Sequence, residues 1–302
     1  MDQAAKLREL ITDKGSINSH MEPIQQAGAR NARVICVTSG KGGVGKTNFT
    51  ANLAIALSKQ GKKIVIIDAD LGLANIDVLL GVIPTYSLLD VVNSNKDITE
   101  VMCKGPNGLQ IISGGSGILD LVDMLDKDLD TLLNEFNKLY DLADIILIDT
   151  GAGLTKSVLS FACASDEVII ITTPEPTSLT DAYAMIKTLW LRQKDKKINI
   201  VINRVENVKE GKIAFEKLEK VCSKFLDIKI HRLGFMTNDI NVGRAVKRQK
   251  PFIIEYPNIG VSKSIGLMAL KLTNDSIGEE KDPIKSSGFI SKFIKMFRQE
   301  RD

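Results

Sequence analysis

Histidine is nearly missing from this chain: His20 and His231 are the two present in 302 residues. That scarcity excludes most histidine-based metal centres and catalytic triads. Cysteine is sparse as well. Cys36, Cys103, Cys163 and Cys222 are widely scattered, form no C-x-x-C pair, and each lies in or beside an apolar run. Reduced, mostly buried thiols are the expectation. No apolar run approaches the roughly 18 residues of a membrane span. The opening MDQAAKLREL lacks the apolar core of a secretory signal, so a cytosolic protein is expected. The net charge of +3 is small for the size. It implies no wholesale coating of nucleic acid, while leaving room for a local basic patch.

What is present is an ordinary globular composition, 44% hydrophobic and 25% charged, which can bury a substantial core. Residues 2–11 pattern as a short helix, with Ala4, Leu7 and Leu10/Ile11 on one side, and residues 12–30 hold no sustained period and read as a flexible linker. From residue 32 the pattern changes. Apolar β-branched runs recur at Val34–Thr38, Ile64–Asp68, Ile145–Asp149, Val168–Thr172 and Ile198–Asn203, with weaker ones at Leu109–Ser113 and Ile230–Phe235. They are continuous rather than alternating, as strands buried on both faces of a parallel sheet should be. Helical segments lie between most of them, including Thr47–Gln60, Asp128–Asp141, Ser178–Arg192 and Gly211–Leu226, and a last one, Ser262–Leu272, ends the domain. Strand and helix in alternation predict an α/β fold, doubly wound around a mostly parallel sheet. The expected division is an N-terminal helix and linker over 1–30, one domain over 31–273, a polar tether over 274–287 and an amphipathic segment over 288–302.

The strongest motif is Gly40-Lys41-Gly42-Gly43-Val44-Gly45-Lys46-Thr47, a complete G-x-x-x-x-G-K-T between a predicted strand and a predicted helix. Glycines let the backbone wrap phosphates with its N–H groups turned inward, at the positive end of a helix. Lys46 is expected to neutralise β and γ oxygens, and Thr47 to offer its hydroxyl to Mg²⁺. Asp149 and Asp68 each end an apolar strand at the sheet edge where ligands bind in open α/β folds. Both are expected metal or water ligands, although an aspartate at a strand end also serves simply as a turn former. Asn203-Arg204-Val205-Glu206 echoes the guanine-reading N-K-x-D. Glutamate there would misplace the bidentate contact to guanine, so the residues lean to ATP and leave open a strand-end asparagine that only caps a turn.

Lys41, which makes the loop K-G-G-V-G-K-T, resembles the deviant Walker A motif of the MinD/ParA ATPases. The resemblance implies that Lys41 reaches across a homodimer, formed with ATP, to the other subunit's phosphates. Asp68-Ala-Asp-Leu-Gly-Leu-Ala-Asn-Ile-Asp77 is similar to the family's switch I, in which Asp70 would position the attacking water. Asp149-Thr-Gly-Ala-Gly153 resembles switch II, and Thr173-Pro-Glu-Pro-Thr-Ser-Leu-Thr-Asp181 the segment after the next strand. Asn203 then matches an adenine-contacting asparagine, with Phe235-Met-Thr-Asn238 beside the same pocket. These motifs agree in order over residues 32–273. Relatives with iron–sulfur clusters need paired cysteines that this chain lacks, and arsenite-pump ATPases carry two phosphate loops where this chain has one.

The ends resemble the branch of flagellar-number regulators called FlhG, YlxH or FleN. Asp2-Gln-Ala-x-x-Leu-Arg8 is similar to that branch's activator of the GTPase FlhF, with Gln3 inserted near the partner's nucleotide. Flagellar switch-complex proteins would be further partners. At the other end, Phe289, Ile290, Phe293, Ile294 and Phe297 share one side of a helical wheel opposite Lys292, Lys295 and Arg298. A helix lying in an anionic membrane surface is expected, with packing on the domain core as the alternative. A MinD-like regulator of cell division and a ParA-like partitioning ATPase that binds DNA without sequence preference are the rival readings; the basic run Gly243–Lys250 keeps the second open, although a solvated helix face explains it as simply. A metabolic kinase would need an acceptor site, and no residues identify one.

Overall fold

In the computed structural model the described residues are 32–70, 75–94, 96–114 and 126–274, with Phe289 and Lys292. The expectations for residues 2–30, for most of the tether and for the rest of the C-terminal segment, including Gln3, Ile290, Phe293, Ile294 and Phe297, lie outside them.

Eight strands form one sheet: β1 (Arg33–Ser39), β2 (Ile64–Ala69), β3 (Cys103–Lys104), β4 (Gln110–Ser113), β5 (Ile145–Ala152), β6 (Glu167–Thr172), β7 (Lys197–Val205) and β8 (His231–Thr237). Their order is β3-β4-β2-β5-β1-β6-β7-β8, and every pairing is parallel except the short antiparallel β3–β4. The described helices are α1 (Lys46–Ser58), α2 (Ile76–Leu80), α3 (Leu88–Asn93), α4 (Ile98–Val101), α5 (Asp126–Leu142), α6 (Lys156–Ala164), α7 (Pro176–Arg192), α8 (Val208–Leu226), α9 (Ile240–Lys247), α10 (Phe252–Glu255) and α11 (Gly260–Asn274). None is long and apolar enough to cross a membrane.

The strands are apolar throughout because successive side chains enter different layers. Val34, Cys36, Val65, Ile67, Ile146, Ile148, Val168 and Ile170 pack into the layer of α3 to α8. Ile35, Val37, Ile64, Ile66, Ile145, Leu147, Ile169 and Ile171 pack into the layer of α1, α2 and α9 to α11. This is the doubly wound arrangement the alternating pattern predicts. Three cysteines are buried and Cys103 is half-buried.

The helices α7 and α8 start earlier than their apolar pattern indicates, for local reasons. Pro176 opens α7, where its missing N–H costs nothing. Asn207 caps α8 by accepting from the Glu210 N–H at 3.0 Å, so the helix begins three residues before Gly211. At the opposite edge of the sheet from the motifs, Arg33 of β1 pairs with Glu167 of β6 and donates to the Leu272 carbonyl, fastening α11 under the sheet.

Candidate functional site

β1 lies between β5 and β6, and β2 lies on the far side of β5, so chain direction across the sheet reverses at β1. The crevice above such a reversal is where open α/β sheets bind ligands. The Gly40–Thr47 loop occupies it. Gly40 backs onto α7 so closely that a Cβ would stand 2.3 Å from the Asp181 carbonyl oxygen. Gly45 takes φ +98°, and a Cβ there would meet Asn203 Nδ2 at 2.5 Å. Gly45 is also the residue before α1, which has no side-chain cap and no acidic residue in its first turn. The first N–H groups of α1 are therefore available to an anion, at the positive end of the helix.

Lys46 opens α1 and is buried. One helical turn on, the Thr50 hydroxyl donates to Asp149 Oδ1 at 2.9 Å, and it lies 3.1 Å from the Lys46 carbonyl. Asp149 is wholly buried, and its Oδ2 has no hydrogen-bond partner. Burial, joined by the neighbouring charge of Asp68, pushes its carboxyl up to about 7 against the opposing effects of Thr47, Thr50 and Lys46. Asp68 and Asp149 are register partners on β2 and β5. Burial also pushes Asp68 up to about 6, against N–H donors from Asp70, Ile76 and Asn75.

Two adjacent buried carboxylates, one with an unpartnered oxygen beside a threonine hydroxyl, make a set of hard oxygen donors short of positive charge. Such a set fits Mg²⁺ held together with a phosphate. Asp149 and Thr47 are the residues placed to serve it. Asp68 has both oxygens engaged by backbone N–H groups, so its visible work is to staple the start of α2 to the end of β2.

Asp70 follows β2 directly. Its Oδ1 faces Gly151, 3.5 Å from where a side chain would begin, which places the water-positioning candidate against the second switch segment. Of the first switch segment, residues 71–74 are outside the described ones.

Lys41 is on the surface, unlike Lys46. Its Nζ lies 3.1 Å from Glu175 Oε2 and 3.3 Å from Thr177 Oγ1, both at the start of α7. Asn203 ends the buried run of β7, and its amide is engaged twice: Nδ2 donates to the Val44 carbonyl at 2.7 Å, and Oδ1 accepts from the Arg204 N–H at 2.8 Å. Phe235 sits on β8 with its ring against Gly211, and the Asn238 N–H donates to the Val205 carbonyl. The expected base-side residues thus share one end of β7 and β8.

Sequence reasoning gave no role to Thr50, Glu175, Thr177 or Arg204. Thr50 was findable, being one turn after Thr47 on the same helix face. The other three lie inside segments the sequence singles out, but their contacts carry no local signal, since their partners are more than 130 positions away. At the far end of the chain, Phe289 is buried. Its ring stacks on Phe161 of α6, centroids 6.4 Å apart, and its N–H donates to the Tyr140 hydroxyl of α5 at 2.8 Å. One of the five residues expected on a membrane face is therefore packed on the core in this state.

Comparison with known proteins agrees with the geometry. Residues 35–252 match the CobQ/CobB/MinD/ParA nucleotide binding domain. The antiactivator FleN of Pseudomonas aeruginosa is 38% identical over 248 residues, 82% of this chain and 89% of that protein. The flagellum site-determining protein YlxH of Helicobacter pylori is 38% identical over 272 residues, 88% of this chain and 90% of that protein. Among solved structures, the septum site-determining protein MinD of Pyrococcus horikoshii complexed with Mg-ADP superposes with a TM-score of 0.67 at 25% identity, covering 83% of this chain and all of that one. The chain belongs to the MinD/ParA family of nucleotide-binding proteins, on its FleN/YlxH (FlhG) branch.

Proposed function

We propose that the chain is a Mg²⁺-dependent ATPase that works as a nucleotide-driven dimer switch and controls the number or placement of flagella. The observation that carries the switch is the contrast between two lysines of one loop. Lys46 is buried at its own phosphate cradle, while Lys41 is held at the surface by Glu175 and Thr177, where a second subunit can take it up.

In this reading Mg²⁺ is held through Thr47 and Asp149, and it offsets charge on the phosphates when bound. Lys46 and the first N–H groups of α1 hold the β and γ oxygens. Asp70 orients the water. Lys41 leaves Glu175 and supports the partner's phosphates, and Asn203 borders the adenine. ATP thereby joins two copies face to face, and hydrolysis separates them.

The flagellar role rests on the two relatives, an antiactivator and a flagellum site-determining protein, each matched over most of its length. Gln3 and its flanking motif would activate an FlhF-type GTPase. The C-terminal segment would bind anionic membrane once Phe289 leaves its seat on α5 and α6. For switch-complex proteins the outer face of α8 is suited, where Ile213, Val221 and Phe225 are exposed among lysines. The ParA-like alternative would use the basic run on α9 for DNA, but Glu255 pairs with Arg248 and lies 3.7 Å from Lys250. That one carboxylate offsets one of the four positive charges of the run, Arg244, Lys247, Arg248 and Lys250.

The test is the dependence of ATP turnover on protein concentration. Specific activity with saturating Mg·ATP should rise as the protein is concentrated and then level off. A specific activity independent of concentration at every dilution would contradict a dimer-driven enzyme.

A further inference from the structure

Arg204 is the penultimate residue of β7 and has φ +57°, a left-handed conformation that non-glycine residues seldom adopt. The pairing of β7 with β8 loses its register at the same place, between Ile202 and Val205. Strain of this kind persists where the surroundings require it, and it commonly marks a working position. Here the kink has a visible result. It sends the guanidinium back over the phosphate loop, where Nη2 donates to the Gly43 carbonyl at 2.8 Å. The adjacent Asn203 donates to the carbonyl of the next loop residue, Val44, at 2.7 Å, and is itself steadied by the Arg204 N–H on its Oδ1.

We propose that Arg204 is a positioning residue which, with Asn203, clasps the carbonyls of Gly43 and Val44 and so presets the N–H groups of Val44 and Gly45 toward the nucleotide's phosphates. The inference rests on the reading of this loop as the nucleotide site. The reason is planar peptide geometry. In a trans peptide the carbonyl of one residue and the N–H of the next point in opposite directions, and no peptide in the described residues is cis. Holding the Gly43 oxygen fixes where the Val44 N–H points, and holding the Val44 oxygen does the same for Gly45. Two successive N–H groups turned to one side form an anion-binding concavity. A loop held in that shape before binding loses less freedom when the phosphates arrive. The dipeptide that resembles a base-reading motif in sequence thus acts on the phosphate loop. It would favour ATP and ADP alike, because the contact precedes any difference at the γ position.

The test compares Arg204→Asn and Arg204→Lys with the parent. Asparagine tolerates the left-handed backbone but cannot reach Gly43, whereas lysine keeps a donor of sufficient length. Losing one net hydrogen bond corresponds to a roughly threefold to tenfold weaker Kd for Mg·ADP. Arg204→Asn should show that loss with a melting temperature equal to or above the parent's, and Arg204→Lys should bind within about twofold of the parent. In turnover assays Arg204→Asn should raise KM by the same factor and leave kcat at saturating Mg·ATP unchanged. Three results would overturn the clasp: unaltered Mg·ADP affinity in Arg204→Asn, equal losses in both variants, or a loss accompanied by a lowered melting temperature. A parent that fails to bind Mg·ADP would remove the nucleotide reading and the clasp together.

Discussion

Lys41 and Glu175 form an ion pair beside the phosphate loop, Nζ to Oε2 3.1 Å, with 43% and 61% of the respective side chains exposed. So exposed a pair contributes at most about 1 kcal/mol. In the proposed switch it would orient Lys41 without preventing its transfer to a triphosphate, which offers far more negative charge. Glu175→Gln should therefore lower the protein concentration at which Mg·ATP produces dimer by about twofold to fivefold. Sedimentation velocity across a dilution series measures this. An unchanged midpoint would mean the pair has no part in the switch.

Thr50 and Asp149 make the second relationship to test. Thr50→Val keeps the shape of the side chain but leaves Asp149 Oδ1 buried without its donor, in addition to the unpartnered Oδ2. The variant should be destabilised by about 1–3 kcal/mol in EDTA. With Mg·ADP the cation supplies the missing positive charge, and the deficit should shrink to less than half. Thermal melts under the two conditions report it. An equal deficit in both would separate Thr50 from the metal.

If the C-terminal segment binds membrane as proposed, the seat of Phe289 would hold that binding back. Tyr140→Phe removes the hydroxyl that accepts the Phe289 N–H and changes little else. Binding of the ADP form to vesicles containing anionic lipid should increase about threefold to tenfold, the worth of one net hydrogen bond. Two tails on one ATP dimer act with high effective concentration, so the parent should need ATP to bind, and Phe293→Glu should abolish binding. Equal binding of the parent with ADP and with ATP would show that the tail is uncoupled from the nucleotide.

At the other terminus, a glutamine amide both accepts and donates hydrogen bonds without charge, which suits it to orient a water in another protein's site. A peptide of residues 1–20 should accelerate GTP hydrolysis by FlhF with no ATP present. Gln3→Ala should lose the acceleration but retain some binding through Leu7 and Leu10. A peptide that binds FlhF and leaves its rate unchanged would reduce the segment to an anchor.

Much of the sheet was legible because burial on both faces writes a strand as an apolar run, as in Ile64-Val-Ile-Ile67 and Val168-Ile-Ile-Ile171. β3 was missed because two residues, Cys103 and Lys104, carry no period. α6 was missed for the opposite reason: Val158 to Ala164 are buried all round, which erases the 3.6-residue stripe. The short α3 and α4 were announced only by their capping boxes, Ser87 with Asp90 and Asp97 with Glu100. In the site, the glycines, Lys46, Thr47 and the strand-end aspartates were readable because each has a local motif. The engagement of Asp68 with α2, of Lys41 with Glu175 and of Arg204 with Gly43 was not, because each joins segments that only the fold brings together.

The central claim is that ATP joins two copies and hydrolysis parts them, with Asp70 required for the second step alone. Multi-angle light scattering on Asp70→Ala tests it directly. With Mg·ATP the variant should elute at twice the 33.1 kDa chain mass and stay there, and with Mg·ADP it should elute as monomer. Lys41→Ala should weaken the ATP dimer, and Lys46→Ala should bind no nucleotide. A persistent monomer for Asp70→Ala at saturating Mg·ATP would contradict the account.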